Sequence, residues 1–243
     1  MPLTCQLTFF TPLNLLDSQV LNRLLDILEQ HPQLTPTSWD YDDNPARKLK
    51  YQRADFLDKV YAHPDQRVLL PELRRDKPIG YEAYFTNSPR GGNKFSLYAT
   101  PQDQAALHLL YEVAALITRE LKPHCSGILH DNGGNDAAAV LDMKYGEFRQ
   151  FGPDGLALWT WFGPALRHLL DLRILDDAGA ELMEEDWGGV RVMLTPSPWN
   201  LDAKEALTRQ QDVLKALQGL NIFGDYSRYP VRMHAASGWA ELP

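Results

Sequence analysis

The chain has 243 residues, enough for about 70% of its extended surface to be buried, so a sizeable core can form without disulfides or a structural metal. Its 44% hydrophobic and 23% charged residues exclude both a disordered chain and a protein embedded in a membrane. The net charge of -8 makes nucleic acid a poor partner, because an acidic protein repels phosphate backbones.

The N-terminal segment lacks the features of a secretory signal. Met1 to Leu7 contains neither a basic stretch nor a continuous apolar stretch, and no apolar run approaches the roughly 20 residues that span a bilayer. We therefore expect a cytoplasmic protein that does not insert into membranes. Cys5 and Cys125 are too far apart in sequence to indicate a disulfide framework, and we interpret them as small buried hydrophobic residues.

A strand and a helix are predicted at the start of the chain. Leu3 to Phe9 alternates apolar and polar residues with the period of a half-buried strand. The helix begins after Asp17 or Ser18 and is stopped by Pro32. Its apolar stripe is predicted to comprise Leu21, Leu24, Leu25 and Leu28.

The region that follows predicts a loop, a basic helix and a hairpin. Thr35 to Pro45 is rich in Pro, Asp and Asn, a composition typical of a loop. Arg47 to Ala62 predicts a helix whose buried stripe comprises Leu49, Phe56, Leu57, Val60 and Tyr61. Ile79 to Thr86 and Lys94 to Ala99 flank a Gly-containing loop and predict a hairpin.

A long helix is predicted after this hairpin. Thr100 is its expected N-cap, Pro101 its first-turn residue and Asp103 an acid at N3. Pro123 closes it, and the apolar face is predicted to comprise Leu107, Leu110, Val113, Ala114, Ile117 and Leu121.

The second half of the chain repeats this mixture of strands and helices. The predicted elements are a strand over Ala137 to Tyr145, a helix over Phe162 to Leu172, a hairpin of Glu181 to Asp186 with Val190 to Leu194, and a last helix from Asp202 to Gly219. Glu205 follows Asp202 by three residues and forms a capping-box-like pair with it.

Strands and helices that are mixed rather than strictly alternating predict an α+β fold. We expect an antiparallel or mixed sheet with hairpins, on which four to five helices pack. Residues 1–243 are predicted to form a single domain. The order of hairpin, Thr-Pro and helix occurs twice, which leaves open two loosely similar halves, 1–125 and 126–243.

No catalytic, cofactor-binding or metal-binding motif is present in the chain. We therefore expect a protein without enzyme activity, cofactor or metal. The sharpest enzymatic alternative is a Mg²⁺-dependent nuclease, in which Asp131 or Asp136 joins Asp142 to hold the ion and Lys144 orients the attacking water. A simple surface ion pair is the preferred explanation of Asp142 and Lys144, because alternate residues of a strand share a face.

Two acidic segments with aromatic neighbours are candidate protein-binding surfaces. The segment from Asp171 to Asp186 contains seven acidic residues and one basic residue, Arg173. Trp187 follows at a glycine turn, where we expect its side chain to be exposed. In a binding surface, carboxylates steer a basic partner and aromatic rings bury contact area. The alternative interpretation of these acids is a charged surface that only contacts water. The first predicted contact set is Asp176, Asp177, Glu181, Glu184, Glu185, Asp186 and Trp187; the second is Trp39, Tyr41, Asp42 and Asp43. Trp159 and Trp161 are expected in the core.

Three segments carry a family resemblance. Trp39-Asp40-Tyr41-Asp42 before the basic helix, Leu158 to Pro164, and the closing Ser237-Gly238-Trp239 resemble immunity protein family 52 of type VI secretion and polymorphic-toxin systems. The resemblance implies an α+β fold and a cognate toxin, often a nuclease encoded beside the immunity gene. It implies no catalytic residues.

These observations together predict an immunity protein that neutralises a cognate toxin by stoichiometric association. A DNA-cleaving toxin has a basic groove, and an acidic surface is suited to cover it. A structural or adaptor protein of a secretion system is the other alternative, alongside the nuclease.

Overall fold

Alternating apolar and polar residues pair into one large sheet. The computed structural model describes residues 3–41, 48–62, 71–87, 93–131, 156–167 and 170–217. Its strands are β1 (Thr4–Thr11), β2 (Ser38–Asp40), β3 (Leu49–Lys50), β4 (Glu72–Arg75), β5 (Gly80–Thr86), β6 (Asn93–Thr100), β7 (Cys125–Asp131), β8 (Trp159–Phe162), β9 (Glu181–Glu184) and β10 (Val190–Met193). Among the described residues, these ten strands form one antiparallel sheet in the order β3-β2-β4-β5-β6-β1-β7-β8-β10-β9. The predicted α+β fold is therefore confirmed.

Helices flank the sheet. In the described part of the chain they are α1 (Ser18–Glu29), α2 (Arg53–Ala62), α3 (Gln104–Leu121), α4 (Pro164–Arg167), α5 (Leu172–Asp177) and α6 (Ala203–Leu217), and a 3₁₀ turn covers Pro198–Asn200. Asp17 caps α1 by accepting hydrogen bonds from the backbone N–H groups of Gln19 and Val20. At the start of α6 the predicted capping box is confirmed, because Asp202 and Glu205 each accept the other's backbone N–H at 2.8 Å.

The sheet is buried on one face along most of its width and on both faces at β7, β8 and β10. In the middle of the sheet, Leu7 on β1 lies opposite Leu97 and Ile128, and all three belong to a first core that α1 and α3 cover. On β7, β8 and β10 the alternate residues face the other way, because successive side chains of a strand point to opposite faces. They join a second core with α4, α5 and α6, which comprises Cys125, Phe162, Leu166, Leu175, Val190, Val192, Ala206 and Val213 among others.

Several predicted elements are confirmed in position. Both hairpins form, β5 with β6 and β9 with β10, and the predicted stripes of α1 and α3 are buried. Trp159 and Trp161 lie in the first core, as expected. The predicted strand over Ala137 to Tyr145 lies outside the described residues.

The prediction for residues 35–62 is wrong in part. The expected loop contains β2, and the first turns of the expected basic helix are replaced by β3, so that α2 begins only at Arg53. Trp39 on β2 pairs with Leu73 on β4 and is 1% exposed, whereas Leu49 is exposed rather than part of a buried stripe. These short strands form because they pair with strands distant in sequence, and this pairing outweighs the local preference of their residues for a loop or a helix.

The predicted start of α3 is also wrong. Thr100 is the last residue of β6, and Asp103 is the N-cap, with its carboxylate accepting the backbone N–H of Ala106 at 2.8 Å. The sheet extends further along the chain than the Thr-Pro signal indicated. At the other end of α3, Lys122 adopts a left-handed conformation with a φ of 42°.

The helix predicted over Phe162 to Leu172 is divided differently. Phe162 ends β8, and two short helices, α4 and α5, follow it. Gly163 lies at this transition, where its backbone closely approaches that of Pro123. A Cβ at position 163 would lie 2.4 Å from the backbone oxygen of Pro123. A strand and a helix therefore meet where helical periodicity alone predicted a continuous helix.

The sheet crosses the boundary between the two predicted halves. β7 begins at Cys125 and pairs along its length with β1 from the first half. The single domain and its sub-halves 1–125 and 126–243 stay predictions. None of the described helices has the length and apolar character that crossing a membrane requires.

Candidate functional site

Acidic side chains collect at one border of the sheet. β9 is the last strand in the described sheet, and its residues Glu181 and Glu184 are exposed. α5 leads into β9 and ends in Asp176 and Asp177, while Asp186 lies in the turn between β9 and β10; all three are exposed. We call these five residues the acidic edge.

Most of the acidic edge has no ion pair among the described residues. Glu184 pairs with Arg167 of α4, with 2.5 Å between Nη2 and Oε1. No described cation forms an ion pair with Asp176, Asp177, Glu181 or Asp186. The neighbouring Asp171 caps α5 and pairs with Arg173, which holds the pKa of the Asp171 carboxyl below its usual range. The edge therefore presents concentrated negative charge to solvent.

Glu185 lies behind the acidic edge rather than on it. Its Oε1 accepts a hydrogen bond from the indole N–H of Trp161 at 3.0 Å and lies 3.1 Å from Nε of Arg191. Only 14% of the Glu185 side chain is exposed. The structure thus places this predicted contact residue in a supporting position, where its charge is compensated.

Arg191 joins this carboxylate to the aromatic core. Its guanidinium carbon lies 4.6 Å from the ring centroid of Trp159 and 5.7 Å from that of Trp161. A guanidinium over aromatic faces is attracted by the ring quadrupole, and the attraction grows as water is excluded. No sequence motif identified Arg191. The pairing of its strand with the strand that carries Trp159 and Trp161 is the feature that would have identified it.

Trp187 is half-buried, so the expected exposure at the glycine turn is wrong. Its ring packs back against the first core and covers the neighbouring Gly189, where a Cβ would lie 2.3 Å from the indole ring. Glycine at this position therefore allows the ring to fold over the turn. The indole N–H is buried and has no hydrogen-bond partner among the described residues.

An apolar side chain projects between the acids of β9. Met183 is 44% exposed and shares a face of β9 with Glu181, because alternate residues point the same way. Arg191 on the paired strand contacts its sulfur. Protein-binding surfaces commonly combine such an apolar contact with a charged rim.

The second predicted surface does not present its tryptophan. Trp39 packs edge-on against Tyr41 and Phe56, with ring centroids 4.8 and 5.2 Å apart. Its ring is therefore a core residue in this structure and cannot contact a partner. Tyr41 is half-buried, and burial raises its pKa. Asp42 and Asp43 lie outside the described residues.

The two predicted surfaces lie far apart. β2, which carries Trp39, and β9 are separated by eight strand spacings in the sheet order. With about 4.8 Å between neighbouring strands, the path along the sheet is roughly 40 Å. Trp39 and Tyr41 therefore do not form one continuous patch with the acidic edge.

The nuclease residues fall mainly outside the described chain. Asp136, Asp142 and Lys144 are not described, and Asp131 ends β7 opposite Thr4. Within the described residues, no three His, Cys, Asp or Glu side chains lie where they would hold a metal ion.

The histidine on β7 takes part in the core rather than in a ligand set. His130 and Cys125 are five residues apart on one strand, so their side chains face opposite sides of the sheet. His130 is hydrogen-bonded to the hydroxyl of Tyr111 at 2.8 Å, and burial lowers the pKa of His130 to about 4.

The fold is similar to that of a solved structure. It matches a protein described as Pseudomonas aeruginosa T6SS protein PA0821, with a TM-score of 0.52 and 14% sequence identity, over 99% of this chain and 83% of that one. No protein-family model matches the sequence, and a search of curated proteins found no match. The likeness concerns the fold, and the resemblance to immunity protein family 52 stays a prediction.

Proposed function

We propose that this protein is an immunity protein that binds and neutralises a cognate toxin with a basic groove, such as a nuclease. The observation that carries the proposal is the acidic edge, where α5, β9 and the turn after β9 bring five exposed carboxylates to one border of the sheet. A groove that cleaves nucleic acid has to attract phosphates, so its surface is basic and complementary to this edge.

The structural neighbour supports a secretion setting for this proposal. That protein is described as belonging to a T6SS, and its fold is matched by nearly the whole of this chain. Toxins and their immunity proteins are partners in such systems, as the resemblance to immunity protein family 52 implies.

The support behind the acidic edge favours a contact surface over a merely solvated one. Glu185 and Arg191 compensate each other among tryptophans, so the strand that carries Glu181 and Met183 is held in place. A preorganised surface loses less side-chain entropy when a partner binds.

Protection of the border strand is the competing explanation for the same charges. Charged side chains on an edge strand discourage pairing with another chain. The two explanations predict different results when the charges are reversed, because only the first requires a basic partner.

The first test is co-expression with the product of the neighbouring gene. We expect rescue of growth and copurification of the two proteins in a fixed ratio. Copurification without rescue would favour the adaptor alternative. The absence of both rescue and copurification would contradict an immunity function against that toxin.

A matched pair of charge-reversal variants then tests the surface. Glu181→Lys with Asp186→Lys changes the acidic edge, whereas Asp76→Lys with Glu112→Lys makes the same change in net charge at exposed acids elsewhere. We expect the edge variant to slow association with the toxin about tenfold, and raising the salt concentration to slow the wild-type protein in the same way. Equal effects of the two variants would remove the acidic edge from the proposal.

A further inference from the structure

β9 is the last strand of the described sheet, so one of its two edges pairs with no described strand. Its other edge pairs with β10, in a register that places Met183 opposite Arg191. An unpaired strand edge can bind an extended segment of another protein through backbone hydrogen bonds. The acidic edge therefore carries backbone hydrogen-bonding groups as well as carboxylates.

The hydrogen bonds of the hairpin show which backbone groups of β9 face outward. The backbone N–H of Glu185 donates to the carbonyl of Gly189 at 3.0 Å, so the backbone of residue 185 is directed towards β10. In an antiparallel pair such residues alternate with residues whose backbone groups point away from the neighbouring strand. Met183 therefore also bonds to β10, whereas Leu182 and Glu184 direct their N–H and C=O groups to the open edge. Within the described part of the chain, nothing bonds to these outward groups.

The side chains of β9 suit a basic strand. Glu181 and Glu184 are exposed, and Met183 between them is 44% exposed. Residues that lie directly opposite each other in an antiparallel pair have Cβ atoms about 5 Å apart, where opposite charges attract and like charges repel. A strand with basic residues opposite the two glutamates is therefore attracted to β9. A second copy of the chain would instead bring the carboxylates of two acidic edges together.

The charges of the acidic edge do not exclude every partner strand. Charged side chains discourage pairing at a strand edge because an apolar or like-charged strand leaves them uncompensated. A basic strand removes this penalty, since its cations compensate the carboxylates. The same acids that protect β9 from other chains thus favour one class of partner.

We propose that β9 binds an extended, basic segment of the toxin as a further antiparallel strand, an inference that rests on the proposed function. Leu182 and Glu184 exchange backbone hydrogen bonds with this segment. Its basic residues lie opposite Glu181 and Glu184, and an apolar residue lies opposite Met183. Because the segment runs antiparallel to β9, its sequence from the N-terminus is a basic residue, an apolar residue, any residue and a second basic residue.

The binding test uses the full chain and three short peptides. The probe is acetyl-Thr-Lys-Val-Thr-Lys-Thr-amide, whose central threonine directs its backbone N–H to the carbonyl of Leu182. One control replaces both lysines by glutamate, and the other carries a methyl group on the backbone nitrogen of that threonine. We expect the probe to bind about tenfold more tightly than the glutamate peptide. It should bind about fivefold more tightly than the methylated peptide, which has the same charges but one backbone donor fewer.

Amide hydrogen exchange locates the added strand. Saturating probe should slow exchange at the amides of Leu182 and Glu184, whereas the amide of Met183 should change little because it already bonds to β10. Binding by none of the peptides, equal binding of the probe and the methylated peptide, or unchanged exchange at these two amides would overturn the proposal. Protection of the same amides in the free protein that rises with protein concentration would identify a second copy as the occupant, and would overturn it as well.

A matched pair of variants at one position tests the protein's side of the pairing. Glu184→Ala and Glu184→Pro both remove the carboxylate and its ion pair with Arg167, but only the proline variant also removes the outward N–H. Proline is tolerated on a border strand where the N–H faces away from the sheet, so both variants should retain the pairing of β9 with β10. We expect the proline variant to bind the probe about fivefold more weakly than the alanine variant. Equal binding by the two variants would contradict strand addition.

These results can be distinguished from failure of the proposed function. Rescue of growth by co-expression, without a preference for the unmethylated probe, would overturn strand addition while the immunity function stands. A preference for the unmethylated probe without rescue would contradict the proposed function and support the strand-binding edge.

Discussion

Arg191 lies over the ring of Trp159, with its guanidinium carbon 4.6 Å from the ring centroid. The same side chain lies 3.1 Å from the carboxylate of Glu185, which also accepts the indole N–H of Trp161. One arginine therefore links the hairpin of the acidic edge to the first core. The position of the candidate surface depends on this link.

Replacing Arg191 by methionine should destabilise the protein. Glu185 would be left as a largely buried carboxylate with one hydrogen bond, so we expect a loss of about 2 kcal/mol in the free energy of unfolding, measured with urea. Glu185→Gln combined with Arg191→Met should cost less than the sum of the two single variants. Strict additivity would show that the two side chains do not stabilise each other.

The two acids that end α5 should not contribute to stability. Asp176 and Asp177 lie at the C-terminal end of the helix, where the helix dipole disfavours negative charge. Asp176→Lys and Asp177→Lys should each keep the unfolding free energy or raise it by about 0.3 kcal/mol, while slowing association with the toxin. Asp171→Lys at the N-cap of the same helix should instead lower stability. Destabilisation by all three would show that the dipole does not govern this helix.

The local sequence pattern was sufficient to predict the strands and helices in which apolar residues recur with a regular period. β1, β5, β6, α1 and α3 were predicted because their apolar residues recur at every second position or on one helical face. β2 has only three residues, and its place depends on pairing with β4, so that Trp39 is buried beside Leu73. The sequence around Trp39 predicted an exposed contact for this reason.

The charge of the candidate site was visible in the sequence, but its arrangement was not. The acidic run identified Glu181, Glu184 and Asp186, which are exposed at the border of the sheet. Glu185 belongs to the same run and yet is compensated by Arg191, six residues away across the hairpin. Only the folded positions of Arg191 on β10 and Arg167 on α4 show which acids have a partner.

Gly163 should be among the least replaceable glycines of the described chain. A Cβ there would lie 2.4 Å from the backbone oxygen of Pro123, and neither backbone segment moves easily. We expect Gly163→Ala to cost about 3 kcal/mol of unfolding free energy. Gly179→Ala is the control, because its φ of 85° is strained for alanine but its nearest neighbour is the flexible Arg209 side chain, so the cost should be about 1 kcal/mol. Equal costs would contradict the close approach at Gly163.

Stability should fall as the pH is lowered from 6.5 towards 4. Burial lowers the pKa values of His124 and His130 to about 4, so the unfolded chain takes up protons at these positions in a range where the folded protein does not. Each histidine then contributes a slope of at most about 1.4 kcal/mol per pH unit, and the contribution is absent above the unfolded pKa. His130→Gln should reduce the histidine contribution to the slope of the unfolding free energy between about pH 5 and 6.5 by roughly half, because one of the two buried histidines in the described part of the chain no longer titrates. An unchanged slope in urea titrations across this range would show that protonation of His130 is not opposed by folding.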